Sequence, residues 1–288
     1  MKKIKTGFIL FSFLCCQLIT AQKSTETITE ELSFSSRTSN NMLVVKNING
    51  PIQVEGYDGN TIKIVVEKKI SAKREDYLEE GKQDVQIKIE EVGNRIYVYV
   101  ETPNNDFNTA SGKYQNSRNK RWVRLNYRFD VSFVLKVPRA TNVELSTMND
   151  GDIYAKDVQG NEIIVNNLNG SITLDNIAGK TDVNALNKDI NITYYKNPNG
   201  DSKYHSLNGD INVTFKENLN ADVSFKSLNG DLYTNYDTTK LRSELIKSET
   251  KNGKGVKYNM SANQSYRIGE GGIQLDFNLL NGDATLKK

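Results

Sequence analysis

A short phrase, Leu-Asn-Gly-Asp followed by alternating apolar and polar residues, recurs through this chain and limits what it can fold into. It stands as Leu168-Asn169-Gly170-Ser171, Leu207-Asn208-Gly209-Asp210, Leu228-Asn229-Gly230-Asp231 and Leu280-Asn281-Gly282-Asp283. Looser copies are Met148-Asn149-Asp150-Gly151-Asp152, Leu186-Asn187-Lys188-Asp189 and, far upstream, Ile48-Asn49-Gly50-Pro51. From Met148 to Leu228 the spacings are 20, 18, 21 and 21 residues. A period of this size marks a repeat architecture, in which no single unit can bury its own apolar face.

One unit, Ser206 to Ser227, shows the physics. Asn208-Gly209 supplies a turn, because Asn and Gly adopt positive φ most easily. Ile211, Val213 and Phe215 then alternate with polar residues, as in a half-buried strand. A second break follows at 217–220, and Val223 and Phe225 continue the alternation to the next phrase. Each unit is two short strands and two turns, and neighbouring units must stack about 4.8 Å apart, setting Leu over Leu and Asn over Asn. Two all-β topologies satisfy this: a β-solenoid resembling a parallel β-helix, or an antiparallel β-sandwich. Asn-Gly favours the hairpins of the second; the long period with the phrase at every second turn favours the solenoid, which is the expected fold with the sandwich as the alternative.

Residues 1–21 read as an export signal, with Lys2, Lys3 and Lys5, an apolar run Gly7–Ile19, and Thr20-Ala21 before Gln22. The run is short for a membrane span, and no later segment reads as transmembrane. Cys15 raises a lipoprotein alternative, but Phe13-Leu14 lacks the small residues that lipid attachment prefers. Three of the 38 basic residues leave with the signal, so 35 basic face 35 acidic residues in the exported chain. Global charge therefore points to neither nucleic acid nor membrane. Both cysteines, Cys15 and Cys16, leave too, which removes disulfides, thiol nucleophiles and thiolate ligands. The periplasm is the expected compartment, with the cell surface or exterior as the other destination.

Along the chain, 22–40 is polar, with Ile28, Leu32 and Phe34 suggesting a strand with a loose start. Residues 41–70 look like a first copy of the repeat. Ser71–Gln83 favours a short helix capped by Ser71 and ended by Gly81, lying on the sheet through Tyr77 and Leu78. A hairpin over Val85–Ile89 and Arg95–Val100 and a structureless polar loop at 102–120 are expected next. A long strand with one wholly apolar face follows, from Val123 through Val137. The regular repeats occupy 141–237, a charged insertion 238–257, and a terminal repeat 258–288, all in one domain from residue 41.

The order of these parts resembles a known family. The repeated Asn-Gly-Asp-Ile type of phrase, the early Ile52-Gln53-Val54-Glu55-Gly56-Tyr57-Asp58-Gly59, the helix, and Leu135-Lys136-Val137-Pro138-Arg139-Ala140 before the repeats are similar to the bacterial β-strand-repeat family of unknown function labelled "putative adhesin". The resemblance covers about residues 40–288. It implies a solenoid-like domain on exported or envelope proteins and carries over no catalytic residues or cofactor. The charged insertion departs from the family pattern. The sequence ends at Lys288 directly after the last repeat phrase, with no sorting domain or anchor to read in it, so surface display is not the expected destination.

Three groups of residues bear on function. The acids Asp152, Asp189, Asp210, Asp231 and Asp283 form a stacked row that resembles a calcium site, with Asp189, Asp210 and Asp231 as the weak metal candidates. Calcium-binding β-rolls use a denser Gly/Asp pattern, so solvated turn residues are the favoured reading, and Asn169-Gly170, Asn208-Gly209, Asn229-Gly230 and Asn281-Gly282 read as structural turns. Lys113–Arg139 holds eight basic residues against one acid. Its Arg121, Trp122, Arg124 and Arg128 could meet an anionic glycan, a lipid headgroup or an acidic envelope protein, whereas a charged solvated strand face is the plainer account. Catalysis has least support: His205 is the lone histidine, and no nucleophile-base constellation or selected carboxylate pair accompanies it. The expected function is non-enzymatic binding or scaffolding in the envelope, with an adhesin-like surface protein as the alternative and a carbohydrate-active enzyme as a remote third.

Overall fold

The computed structural model describes residues 22–36, 38–115, 122–241, 245–249, 256–260 and 264–288, with 245–249 and 256–260 as backbone strands only. The proposed signal, Arg121 and much of the charged insertion lie outside these residues. Among the described residues the architecture is all-β with one α-helix, Glu75–Asp84. Two long sheets, of 10 and 11 strands among the described residues, face each other across one apolar interior.

The repeats build a solenoid of parallel strands. Each coil places one strand in the first sheet and the next in the second. In the 11-stranded sheet Asn142–Thr147, Glu162–Asn167, Lys180–Ala185 and Ser202–Asn208 pair in parallel, residue over equivalent residue. In the other sheet Ile153–Lys156, Ile172–Ile177, Ile190–Tyr194 and Ile211–Thr214 do the same. Alternation decides the faces: Val143, Leu145, Val165, Val183 and Tyr204 point inward and are fully buried. Burial on this scale contributes about 25 cal/mol per Å² of apolar surface, which no isolated two-strand unit could gather.

Sequence order and stacking order differ at both ends. The first coil, 42–57, lies directly on coil 142–156 through Met42–Lys46 and Ile52–Tyr57, across the intervening chain 58–141. At the other end, the final strands Ile273–Asn281 and Ala284–Lys287 do not extend the stack. They sit between coil 202–214 and coil 221–234, pairing in parallel with both.

The intervening chain closes the base. Tyr127–Pro138 runs parallel to Ile52–Tyr57 and antiparallel to Ile62–Ala72, which pairs over eleven residues with Gln22–Leu32. The N-terminal strand thus has no loose start. The helix lies on this extension through Leu78 and Gly81. Ser71 does not cap it: Ser71 belongs to the strand, and Arg74 occupies the N-cap without a side-chain hydrogen bond. Gly81 does not end it either, being wedged inside the helix where a Cβ would meet Ile70 and Tyr127 at 2.7 Å. The helix C-terminus is held by Lys68, whose Nζ donates to the carbonyls of Lys82 and Val85 at 3.3 and 3.2 Å.

Two further expectations need correction. The stretch 102–120 is not structureless, for Asp106–Asn108 and Lys113–Gln115 form a small hairpin. Its Phe107 is buried against Tyr97 and Tyr99, with Tyr114 edge-on at 5.3 Å. A polar sequence hides this fold because one aromatic residue carries it. The long strand begins at Tyr127, not Val123; Val123 is 43% exposed and unpaired with a neighbouring strand.

Candidate functional site: a leucine-lined groove

The Leu of the repeated phrase stands on the wrong side of the strand for a core residue. In Tyr204-His205-Ser206-Leu207, Tyr204 and Ser206 face inward, so Leu207 faces out with His205. The same parity turns Met148, Leu168, Leu186, Leu280 and Leu228 to the outside. Stacking aligns these six in one row in the spatial order 148, 168, 186, 207, 280, 228. Leu168, Leu207 and Leu280 are between 36% and 43% exposed and Leu228 is 71% exposed. Beside them run Ser146, Asn166, Asn184, His205, Asn278 and Lys226. The two rows line an open groove of about 950 Å³. Six coils span about 24 Å at the strand spacing.

Its floor is polar and mostly uncharged. Asn184 Nδ2 donates to Asn166 Oδ1 at 3.1 Å and to Asp182 Oδ1 at 3.0 Å. His205 is half-buried, with Nε2 at 3.7 Å from Asp276 Oδ2; it holds that carboxyl below its ordinary range. Below the groove lie buried aromatics of the interior. Tyr194 and Tyr204 share a 2.7 Å hydroxyl contact, and burial pushes the Tyr194 phenol up to about 12, so it stays neutral.

The turns beside the groove are an asparagine ladder. Asn149 donates to Asn49, Asn169 to Asn149, Asn187 to Asn169, Asn208 to Asn187, Asn281 to Asn208 and Asn229 to Asn281, at 2.8–3.2 Å, each Nδ2 to the next Oδ1. The glycine that follows is required for a different reason than φ in several coils. Gly170 and Gly209 have no positive φ, but a Cβ on Gly170 would lie 1.9 Å from the Gly151 carbonyl oxygen in the coil beneath. Gly230 and Gly282 combine such crowding with φ of 156° and 130°.

The aspartates continue the same logic. Asp189 Oδ1 accepts the backbone N–H of Asp210, Asp210 that of Asp283, and Asp283 that of Asp231, at 2.8–2.9 Å. Asp152 accepts that of Ser171 at 2.7 Å. One oxygen of each therefore ties coil to coil. Among the described residues no group of three His, Cys, Asp or Glu is placed to hold a metal ion.

The basic candidates lie elsewhere. Trp122 is 75% exposed, Arg124 and Arg128 are exposed, and none of them lines the groove. Within the same basic stretch Arg139 pairs with Asp58 at 2.8 Å and Lys136 with Glu55 at 3.4 Å. The groove itself escaped the sequence reading, which grouped Leu with the Asn-Gly turn. The in–out parity of the preceding residues was the signal that marks it.

Comparison with known proteins comes to three findings. No curated protein matches the chain. Solved structures that resemble it include a "putative cell adhesion protein" from Clostridium sporogenes ATCC 15579, at 12% identity and TM-score 0.45 over 92% of this chain and 99% of that one, and a "putative adhesin" from Bacteroides fragilis NCTC 9343, at 10% identity and TM-score 0.31 over 91% and 96%. The model of the Toastrack DUF4097 family matches residues 20–276, nearly the whole solenoid with its base, and the chain therefore belongs to the Toastrack family.

Proposed function

We propose that this protein is a non-enzymatic binding module of the bacterial cell envelope, exported by residues 1–21, and that its contact surface is the leucine-lined groove. One observation carries the reading: a row of six aliphatic side chains on outward strand positions, where a solvated sheet face would place polar residues. The chemistry selects the occupant. The residues lining the groove include no Phe, Tyr or Trp to stack on a sugar ring, and one lysine for an anionic headgroup. The groove offers aliphatic contacts along one wall and amides along the floor, which fits an extended apolar polypeptide segment of an envelope partner. At about 3.3 Å per residue, some seven residues fill it.

A photo-crosslinking residue at position 207 tests this, with position 154 on the opposite sheet as control. The expected result is a polypeptide adduct at 207 alone, lost when Leu168 and Leu280 are changed to Ser while the circular dichroism is retained. A lipid or glycan adduct, or equal capture at both positions, overturns the groove assignment. Replacement of Trp122, Arg124 and Arg128 together with Arg121 should leave the 207 adduct intact; loss would move the site to the basic face. Protease treatment of intact cells beside osmotic shock checks the compartment. Protection with release by shock supports a periplasmic scaffold, and digestion on intact cells supports the adhesin-like alternative.

A further inference from the structure

The last coil of the chain is inserted, not appended. Ile273–Asn281 has Ser202–Asn208 on one side and Ala221–Lys226 on the other, and Ala284–Lys287 lies between Ile211–Thr214 and Leu232–Thr234. Inward positions are matched on both sides: Leu275 registers with Ser202 and Val223, and Phe277 stacks on Tyr204 at 4.6 Å and registers with Phe225. Asn281 donates to Asn208 and accepts from Asn229, and Asp283 bridges Asp210 and Asp231 through backbone N–H groups. The two coils that flank it are consecutive in sequence. They form a slot whose walls read a strand–turn–strand segment carrying this Leu-Asn-Gly-Asp phrase.

The hinge into the slot is four residues, Gly269 to Gly272. Three are glycines, with φ of 58°, 78° and 140°. They turn the chain from Gln264–Ile268, antiparallel on the outer side of Ala221–Lys226, to Ile273–Asn281 on its inner side. A short, tightly turned hinge before an element held by ladder contacts is the arrangement that permits exchange between copies, since an opened chain recovers those contacts in a partner and loses only the tight turn.

We propose that this slot is a binding site for residues 273–288 of a second copy of the chain, so that the protein forms a reciprocal coil-exchanged dimer when it folds at high concentration. The ligand class is a strand–turn–strand segment of this same sequence. The balance between closed monomer and exchanged dimer follows mass action. Residues in the hinge tune it: alanine at Gly271 would face Arg267 Nε at 2.5 Å and Asp222 Oδ1 at 2.9 Å at a positive φ, which penalises the closed turn and not an extended hinge.

The test uses the full chain after signal removal, which contains no cysteine. Asn212 and Thr285 are parallel partners across the slot, as are Thr214 and Lys287. N212C/T285C and, independently, T214C/K287C are refolded from urea over a hundredfold range of concentration, oxidised and run on non-reducing gels beside the single-cysteine controls. The proposal expects a disulfide-linked dimer whose share rises at least fivefold across the range, exceeds both controls, and rises further with G271A. Intramolecular disulfides alone at every concentration, in both pairs, overturn it.

Discussion

At the scale of the residue, the stack is held by small groups with repeated duties. Asn281 both donates and accepts in the ladder, whereas Asn229 at the outer end only donates. A net hydrogen bond contributes about 1 kcal/mol, so Asn281→Ala should cost about twice what Asn229→Ala does in urea unfolding. Equal costs would mean that the ladder contributes no side-chain energy. Gly170→Ala tests crowding: its Cβ would meet a backbone oxygen that cannot swing aside, and we expect a loss of about 3 kcal/mol or more. Gly93→Ala, with open space but φ of 64°, should lose only about 1 kcal/mol. Acid stability has a residue-scale origin as well. The Arg267 guanidinium, bonded to Asp222 at 2.7 Å, holds that carboxyl below its ordinary value of 3.8. A depressed folded value stabilises the fold above the unfolded one, and this contribution is lost as pH falls through the folded value. Unfolding measured from about pH 5 downward through the region below 3.8 should show a shallower acid decline for Arg267→Gln than for the parent. The recurrence of Asn-Gly was plain in the sequence because turns leave local signatures. That Gly170 answers to crowding by a neighbouring coil was not, because a carbonyl nineteen residues away (Gly151) makes the demand.

At the scale of the element, parity separates packing from contact. Leu279 and Leu280 are adjacent, one 4% exposed toward the interior and the other 37% exposed in the groove. Leu279→Ala should cost about 2–5 kcal/mol, and Leu280→Ala should stay within about 0.5 kcal/mol of the parent. A large cost at Leu280 would make the leucine row a structural seam and not a contact surface. Strands of the regular repeats were readable because their alternation is clean and their turns are punctuated. The helix was readable in place but not in its caps, since a lysine from a strand closes its C-terminus and no local capping residue opens it. The Asp106–Gln115 hairpin was unreadable: its single buried aromatic, Phe107, gains its partners from strands of the base.

At the scale of the whole molecule, the solenoid is less one-dimensional than its repeats imply. A solenoid stacked in sequence order has a free last coil that can fray without disturbing the rest. Here the last coil is internal, and in both sheets it stands between coil 221–234 and coil 202–214. Leu286 is 1% exposed between Val213 and Thr234, so it supports coils on both sides. Leu286→Ala should therefore lower native-state hydrogen-exchange protection at Ile211–Thr214 and Ala284–Lys287 together, in a single cooperative unfolding unit. Because long-range pairing must precede closure of the stack, refolding should also be slow for a chain of this size, in the range of seconds. If Ala284–Lys287 lost protection while Ile211–Thr214 kept the parent's, the terminal coil would be an independent unit. Its exchange between copies would then proceed from the native state, without unfolding of the walls that receive it.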